Sequence, residues 1–279
     1  MNGPVTVGID ASEPSEAALD WAAEEAIRRQ LTLRLVRAPE LPSGREEDGA
    51  LLAVERARVA ALHPRLLVTA DLVDGKPREV LTAAAEQATL LVVGARGSGG
   101  FPKLLLGSTT LHLAAQAPCP VVVVRTAEPA ADPAVVVGVE GEEHEEPVLA
   151  YAFLAARRLG LPLDVVHAWT NPLLMGPGHE VPLVYEESHV EAEHKRMLAE
   201  VLTGWRERFP DVSVTTTLAR SSPAKQLVSA SAGRTLLVVG RHGRPRGPFG
   251  RLGSTSQAVV QHAECPVVVV PTGVNLPQP

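Results

Sequence analysis

Two stretches of this chain carry glycine and hydroxyl residues at one spacing. Gly94, Gly97, Gly107, Ser108 and Thr109 fit Gly-x2-Gly-x9-Gly-Ser-Thr. Gly240, Gly243, Gly253, Ser254 and Thr255 fit the same pattern 146 positions later. Glycines let backbone N–H groups approach a ligand closely. A Gly-Ser-Thr that opens a helix adds unsatisfied amides and the positive end of the helix dipole. That is chemistry for holding phosphate. One such loop could equally be a surface turn with a helix cap; two copies at identical spacing favour binding. Neither copy has the Gly-Lys-Ser/Thr of a Walker loop. In the first, Gly97 and Gly99 are followed by Pro102 rather than by the third glycine of a dinucleotide loop.

Groups for bond-breaking are harder to find. Neither half shows a nucleophile–base pair or paired carboxylates at a recognisable spacing, so the expectation is a binding protein and not an enzyme. The nine histidines form no metal-like set. His167, near the end of a strand, is expected to be packed or hydrogen-bonded there. His242, in the second loop, is within reach of phosphate, and Lys103, in the first, reads as a solvated surface lysine.

The elements that must position these loops can be read around them. Pro4–Ile9 is an apolar strand, followed by a turn in which Ser12 caps a helix and Pro14 lies near its first position. Strands are expected at Leu31–Val36, Arg65–Leu72, Thr89–Val93 and Pro120–Arg125. Helices are expected at 45–62, from Pro77 to Glu86, and from Gly107 to Gln116. The second half repeats the order with strands at Ala134–Val139, Leu163–Ala168, Val212–Leu218 and Val267–Val270. Strand–helix alternation with nearly continuous Val/Leu strands predicts parallel sheets covered on both faces. Gly8 to Gly94 spans 86 positions and Gly138 to Gly240 spans 102. The extra length is expected in Asn171–Pro182 and in a longer helix running to about Arg208.

The bulk numbers fit two domains in 279 residues, at 1–126 and 134–273, joined by a Pro/Ala linker. Aromatic content is 3%, so Ala, Leu and Val build the core. A net charge of −6 argues against a nucleic-acid surface. No apolar run is long enough to span a bilayer, and no signal peptide is visible at Met1-Asn-Gly-Pro. A cytoplasmic location is the expectation. Cys119 and Cys265 occupy equivalent positions and read as structural residues, not as a disulfide pair.

Four motifs carry a family resemblance: Val-Gly-Ile-Asp-Ala-Ser (7–12), Leu-Leu-Val-Val-Gly-Ala-Arg-Gly (90–97), Leu-Leu-Leu-Gly-Ser-Thr (104–109) and Ala-Pro-Cys-Pro-Val-Val-Val-Val (117–124). With them the chain resembles a tandem universal stress protein over nearly its whole length. The resemblance implies two doubly wound α/β domains, each a five-stranded parallel sheet of order 3-2-1-4-5. It implies ATP as ligand, with Mg²⁺ accompanying the phosphates through Ser108 or Thr109 and water. Asp10 would meet the adenosine end and Ala38 would lie by the base. Val93, Gly94 and Gly97 would line the nucleoside and phosphate side, and Gly107, Ser108 and Thr109 would take the phosphates. In the second half the corresponding residues are Glu140, Ala168, Gly240, Gly243, Gly253, Ser254 and Thr255. As in the family's dimers, Val121–Val124 and Val267–Val270 would lie antiparallel across a pseudo-twofold axis. The single chain then forms an intramolecular pseudo-dimer, and a homodimer of chains is compatible with it.

The second half departs from the pattern at one place. Glu140 replaces Asp10 and begins an acidic turn that continues through 141–146. Acidic residues at a helix start are favourable in themselves. Near a polyphosphate, one carboxylate ~7 Å away costs roughly 2 kcal/mol at an effective dielectric of ~20. Arg241, His242, Arg244, Arg246 and Arg251 are placed to offset it. The first half is therefore expected to be the stronger ATP site. The function expected is a stress-response or signalling protein gated by ATP occupancy, with a protein partner that the sequence does not name. The competing readings are a slow ATPase and an interaction module with vestigial loops.

Overall fold

Runs of Val and Leu, buried on both faces, make the frame. A computed structural model describes residues 3–39, 44–97, 105–125, 130–141, 145–170, 183–241 and 252–273. The first half runs β1 (Val5–Gly8), α1 (Glu13–Arg29), β2 (Leu33–Arg37), α2 (Arg45–Leu62), β3 (Val68–Leu72), α3 (Pro77–Ala85), β4 (Leu90–Gly94), α4 (Ser108–Gln116) and β5 (Val121–Val124). The second half repeats it as β6 (Val135–Val139), α5 (Glu146–Leu159), β7 (Leu163–Trp169), α6 (Leu183–Arg208), β8 (Val214–Arg220), α7 (Pro223–Ala230), β9 (Leu236–Gly240), α8 (Ser254–His262) and β10 (Val267–Val270). Gly243, Lys103, His242, Arg244, Arg246, Arg251 and Asn171–Pro182 lie outside the described residues.

Local chemistry explains the boundaries. Ser12 caps α1 by accepting from Ser15 N, with a proline in the first turn, Glu13 and Glu16 at the start and Arg28 and Arg29 at the end. Gln30 ends the helix in the left-handed region at φ 56°, and Leu31 N closes back onto Ala26 O. β2 therefore starts at Leu33, two residues later than its apolar run. β3 starts at Val68 instead of Arg65 because Leu66 N bonds His63 O in a turn.

The sheet order is β3-β2-β1-β4-β5-β10-β9-β6-β7-β8. Each half has the order 3-2-1-4-5, and all pairings within a half are parallel. The two sheets are not separate. β5 and β10 pair antiparallel, Val123 opposite Val267, Val122 opposite Val268 and Val121 opposite Val269, so the edges that each half would expose are consumed in one ten-stranded sheet. One face is covered by a core that includes Leu19, Ala22, Leu149, Phe153 and Trp205, the other by Leu81, Leu113, Leu227 and Val259. The longer helix α6 is anchored by stacking of Trp205 on Phe153 at 5.5 Å and by Phe209 at 5.2 Å from Phe153.

Across the seam, Arg29 donates to Tyr151 Oη at 2.9 Å and to Glu25 at 2.6 Å, and Arg158 reaches Glu25 at 3.3 Å. Glu25 and Tyr151 are both buried. Cys119 and Cys265 are free and buried, and burial pushes both thiols up to about 12. At pH 8 only about one molecule in ten thousand then carries the thiolate that reacts. Ellman's reagent is expected to titrate neither cysteine in the folded chain at pH 8 and both in denaturant; a fast-reacting native thiol would contradict this burial.

Candidate functional site

Parallel strands and the helices that follow them place strand carboxyl ends and helix N-termini at one edge of each half. In the first half β1 ends just before Asp10. Its Oδ1 accepts from Ser12 N at 3.1 Å and from Ser12 Oγ at 2.6 Å, and its backbone N donates to Ser15 Oγ at 3.1 Å. Ala11 sits in the left-handed region at φ 64°, which turns the chain sharply into α1.

The glycines of the first loop are required by close approach. A Cβ on Gly94 would lie 2.8 Å from the carbonyl of Pro14, so the end of β4 touches the start of α1. A Cβ on Gly97 would lie 2.3 Å from Asp10 Oδ2. Gly107 N returns to Ala95 O at 2.8 Å, and Thr110 Oγ1 donates to Gly94 O at 2.8 Å. Asp10, Gly94, Gly97 and Gly107 are thereby gathered at the mouth of α4. No side chain caps α4, and its first turn holds no acidic residue. Ser108 is exposed and Thr109 half-buried there. Val93 is buried at the end of β4, and Ala38 lies half-buried one residue past β2. Arg125 leaves β5 beside this loop, donating to Leu105 O at 3.3 Å and to Val260 O of α8. Burial, and then repulsion from Arg96, hold its guanidinium below the usual arginine range.

The second half has the same frame and a different lining. Glu140, Ala168, Gly240 and Thr255 line one cleft, together with Val139, Val148, Leu227 and Glu145. Gly253 leads into α8 at Ser254, again with no side-chain cap. Ser256 Oγ donates to Gly240 O at 2.7 Å, as Thr110 does to Gly94. Glu140 itself is exposed. The residue that sequence reasoning missed is Glu145. Its carboxylate accepts from Glu140 N and, at 3.0 Å, from Gly141 N. Matching Gly8 to Gly138 puts Glu145 where the first half has Ser15, and that register was the available signal. Arg241 reaches into the other half: Nη1 donates to Ala117 O, at the end of α4, at 2.5 Å.

The walls also differ. In the first half Arg37 Nη1 donates to Ile9 O at 3.2 Å, and Nε to Asp48 Oδ1 of α2 at 2.5 Å. In the second, His167 takes the place of Arg37: Nδ1 is 2.9 Å from Val139 O and Nε2 is 2.9 Å from His194 Nδ1 of α6. The carbonyl can only accept, so His167 donates to it from Nδ1. His194 stacks on Trp169 at 4.6 Å. Burial, and then repulsion from His167, hold His194 below the usual histidine range, with Glu193 pulling the other way. The folded chain therefore resists a proton that the unfolded chain accepts. The stability this pair supplies is present above about pH 6.5 and is lost as pH falls through the lowered folded value. Denaturation midpoints measured from pH 7.5 to 5 are expected to fall, with a shallower slope in His194→Gln; an unchanged slope would remove His194 from the effect.

Among the described residues no three His, Cys, Asp or Glu groups converge as a metal site, and no helix is long and apolar enough to cross a membrane.

Comparison with known proteins follows the same division. A model of the universal stress protein family matches residues 1–125 and 133–271. A universal stress protein of Mycobacterium tuberculosis is 34% identical over 291 residues, covering 95% of each chain. One from Mycolicibacterium smegmatis is 35% identical over 288 residues, covering 95% of this chain and 96% of its own. The crystal structure of a universal stress protein from Archaeoglobus fulgidus superposes with a TM-score of 0.72 at 18% identity, over 98% of this chain and 100% of its own, a likeness of fold alone. One family model falling on each half, and relatives that align end to end above 30% identity, lead to one conclusion: the chain belongs to the universal stress protein family, with two such domains in tandem.

Proposed function

We propose that this stress-response protein binds ATP at the first-half edge, and that nucleotide occupancy sets its conformation or its partner surface. The observation that carries the reading is the packing of Gly97 against Asp10 at the uncapped start of α4. A Cβ would fill that approach, and the amides of an uncapped first turn are donors for phosphate. Asp10 then serves the adenosine end, with Ala38 beside the base. Val93, Gly94 and Gly97 line the nucleoside and phosphate side, and Gly107, Ser108 and Thr109 take the phosphates. Arg96 and Arg125 repel one another beside the loop, and an anion there would relieve that repulsion. Mg²⁺ fits as a companion of the phosphates, reached by the Ser108 or Thr109 hydroxyl and water.

Phosphoryl transfer needs a held metal and a positioned base or water-orienting group. Among the described residues, Asp10 is engaged with Ser12 through Oδ1, and Asp48 of the same wall is paired with Arg37. ATP is therefore held and released intact. Calorimetric titration of the full chain with Mg-ATP, followed by chromatography of the nucleotide, tests this. Binding with hydrolysis far below about 1 per second is expected. Absence of binding would overturn the reading, as would enzyme-like turnover that is lost on changing Asp10 or Ser108.

A further inference from the structure

The second-half cleft lies at the carboxyl ends of β6, β7 and β9, where the strand order reverses. Its walls are largely aliphatic, with Val139, Val166, Leu227 and Val239 among them, and Thr255 of α8 stands at one end. One charged side chain is buried in that lining. Glu145 is 5% exposed. It occupies the cap position of α5 yet makes no cap hydrogen bond to the helix. Its carboxylate reaches back instead to the turn after β6. One oxygen accepts from Glu140 N and the other from Gly141 N. In the first half the backbone donor equivalent to Glu140 N is Asp10 N, and it meets the neutral hydroxyl of Ser15. One position of the same fold thus holds a hydroxyl in one half and a carboxylate side chain in the other.

The turn is closed from a second direction. Gly141 has φ +88°, and a Cβ there would lie 2.3 Å from Met197 Sδ of α6. Ala11, its equivalent, keeps a Cβ at φ 64°. Side chains of the protein therefore fill, in the second half, both the donors of the turn and the space above it.

We propose that Glu145 is the specificity-determining residue of the second cleft, a buried acidic side chain on the turn amides that denies the cleft to nucleoside polyphosphates. The proposal rests on the reading that this edge of the fold binds ATP. A polyphosphate entering here would bring its charge into an apolar cleft already holding a carboxylate, where screening by water is weak. Glu145 cannot swing aside without stranding two backbone N–H groups. The site divides the labour of the two halves: the first takes the nucleotide, and Glu145 keeps it out of the second.

The test is calorimetric titration of Mg-ATP into four full-length proteins: wild type, Gly97→Val, Gly97→Val/Glu145→Ser and Gly97→Val/Glu145→Gln. Ser copies the first half, and Gln keeps the size of Glu while removing its charge, so a packing defect in one double variant does not decide the matter. Wild type is expected to bind one ATP per chain. Both double variants should bind ATP at least tenfold more tightly than Gly97→Val alone. Two equivalent ATP sites in wild type would overturn the proposal. So would folded double variants, confirmed by circular dichroism, that both bind no better than Gly97→Val. Failure of wild type to bind ATP would instead strike at the first-half site, and a gain in the double variants would still establish the role of Glu145.

Discussion

The Gly97→Val protein is expected to fold as wild type does and to bind ATP about 100-fold more weakly, a loss of roughly 2.7 kcal/mol. The first added atom, a Cβ, would lie 2.3 Å from Asp10 Oδ2. The carboxylate cannot yield cheaply, because its other oxygen is held by Ser12 N and Ser12 Oγ. Ser12 in turn caps α1. Valine at 97 therefore either drives Asp10 away from the adenosine end or pushes the loop away from α4. Both outcomes spoil the site and neither touches the core. The change in stability should stay within about 2 kcal/mol, because the contact is relieved by movement of the Asp10 turn or of the loop and the core is left as it was. Calorimetry and a thermal melt on one preparation check both halves of the statement. An unchanged affinity in the folded variant would mean that Gly97 does not face the ligand.

A larger effect on stability is expected at the seam. Val122→Asp should cost about 4 kcal/mol or more and should lower the unfolding midpoint of both halves together. Val122 is fully buried, pairs with Val92 on one side and Val268 on the other, and belongs to the core shared by the two halves. A carboxylate there finds no cation in the strand ladder and must be desolvated. Thr216→Asp on the exposed outer strand β8 is the control and should cost less than about 0.5 kcal/mol. Denaturant unfolding followed by far-ultraviolet circular dichroism and by tryptophan fluorescence measures both. A Val122→Asp midpoint equal to that of wild type, or loss confined to one half, would show that the ten-stranded sheet does not hold the two domains as one unit.

Much of this was legible in the residues, for physical reasons that can be named. Continuous Val/Leu runs mark strands buried on both faces, and α1 announces itself through Ser12, Pro14 and its charge polarity. The pairing of β5 with β10 was implied by the family resemblance, and it closes an apolar edge that each half alone would leave open. The two motif copies gave the start of each following helix. Long-range contacts could not be read. The contact of Arg241 with the end of α4, 124 positions away in sequence, exists only because the seam brings the two halves together. Arg125 spans 135 positions to Val260 by the same pairing. Glu145 stood in an acidic stretch that reads as an ordinary helix start. Its burial, and its reach to two amides behind it, arise only when β6, α5 and α6 close around the turn. Glu140, singled out instead, is exposed. The Arg37–Asp48 and His167–His194 equivalence was hidden for a related reason: an ion pair and an imidazole pair share no residue type, only a position on the second strand and its helix.

The most direct test of nucleotide binding is the identity of what the protein retains. The full chain would be incubated with an equimolar mixture of ATP, GTP, CTP and UTP with Mg²⁺, passed through a desalting column and denatured, and the released ligand measured by mass spectrometry. The expected result is ATP, intact, at about one per chain, falling to background in Gly97→Val. Release of no nucleotide, or of all four without preference, would contradict the assignment of the first-half edge as an ATP site.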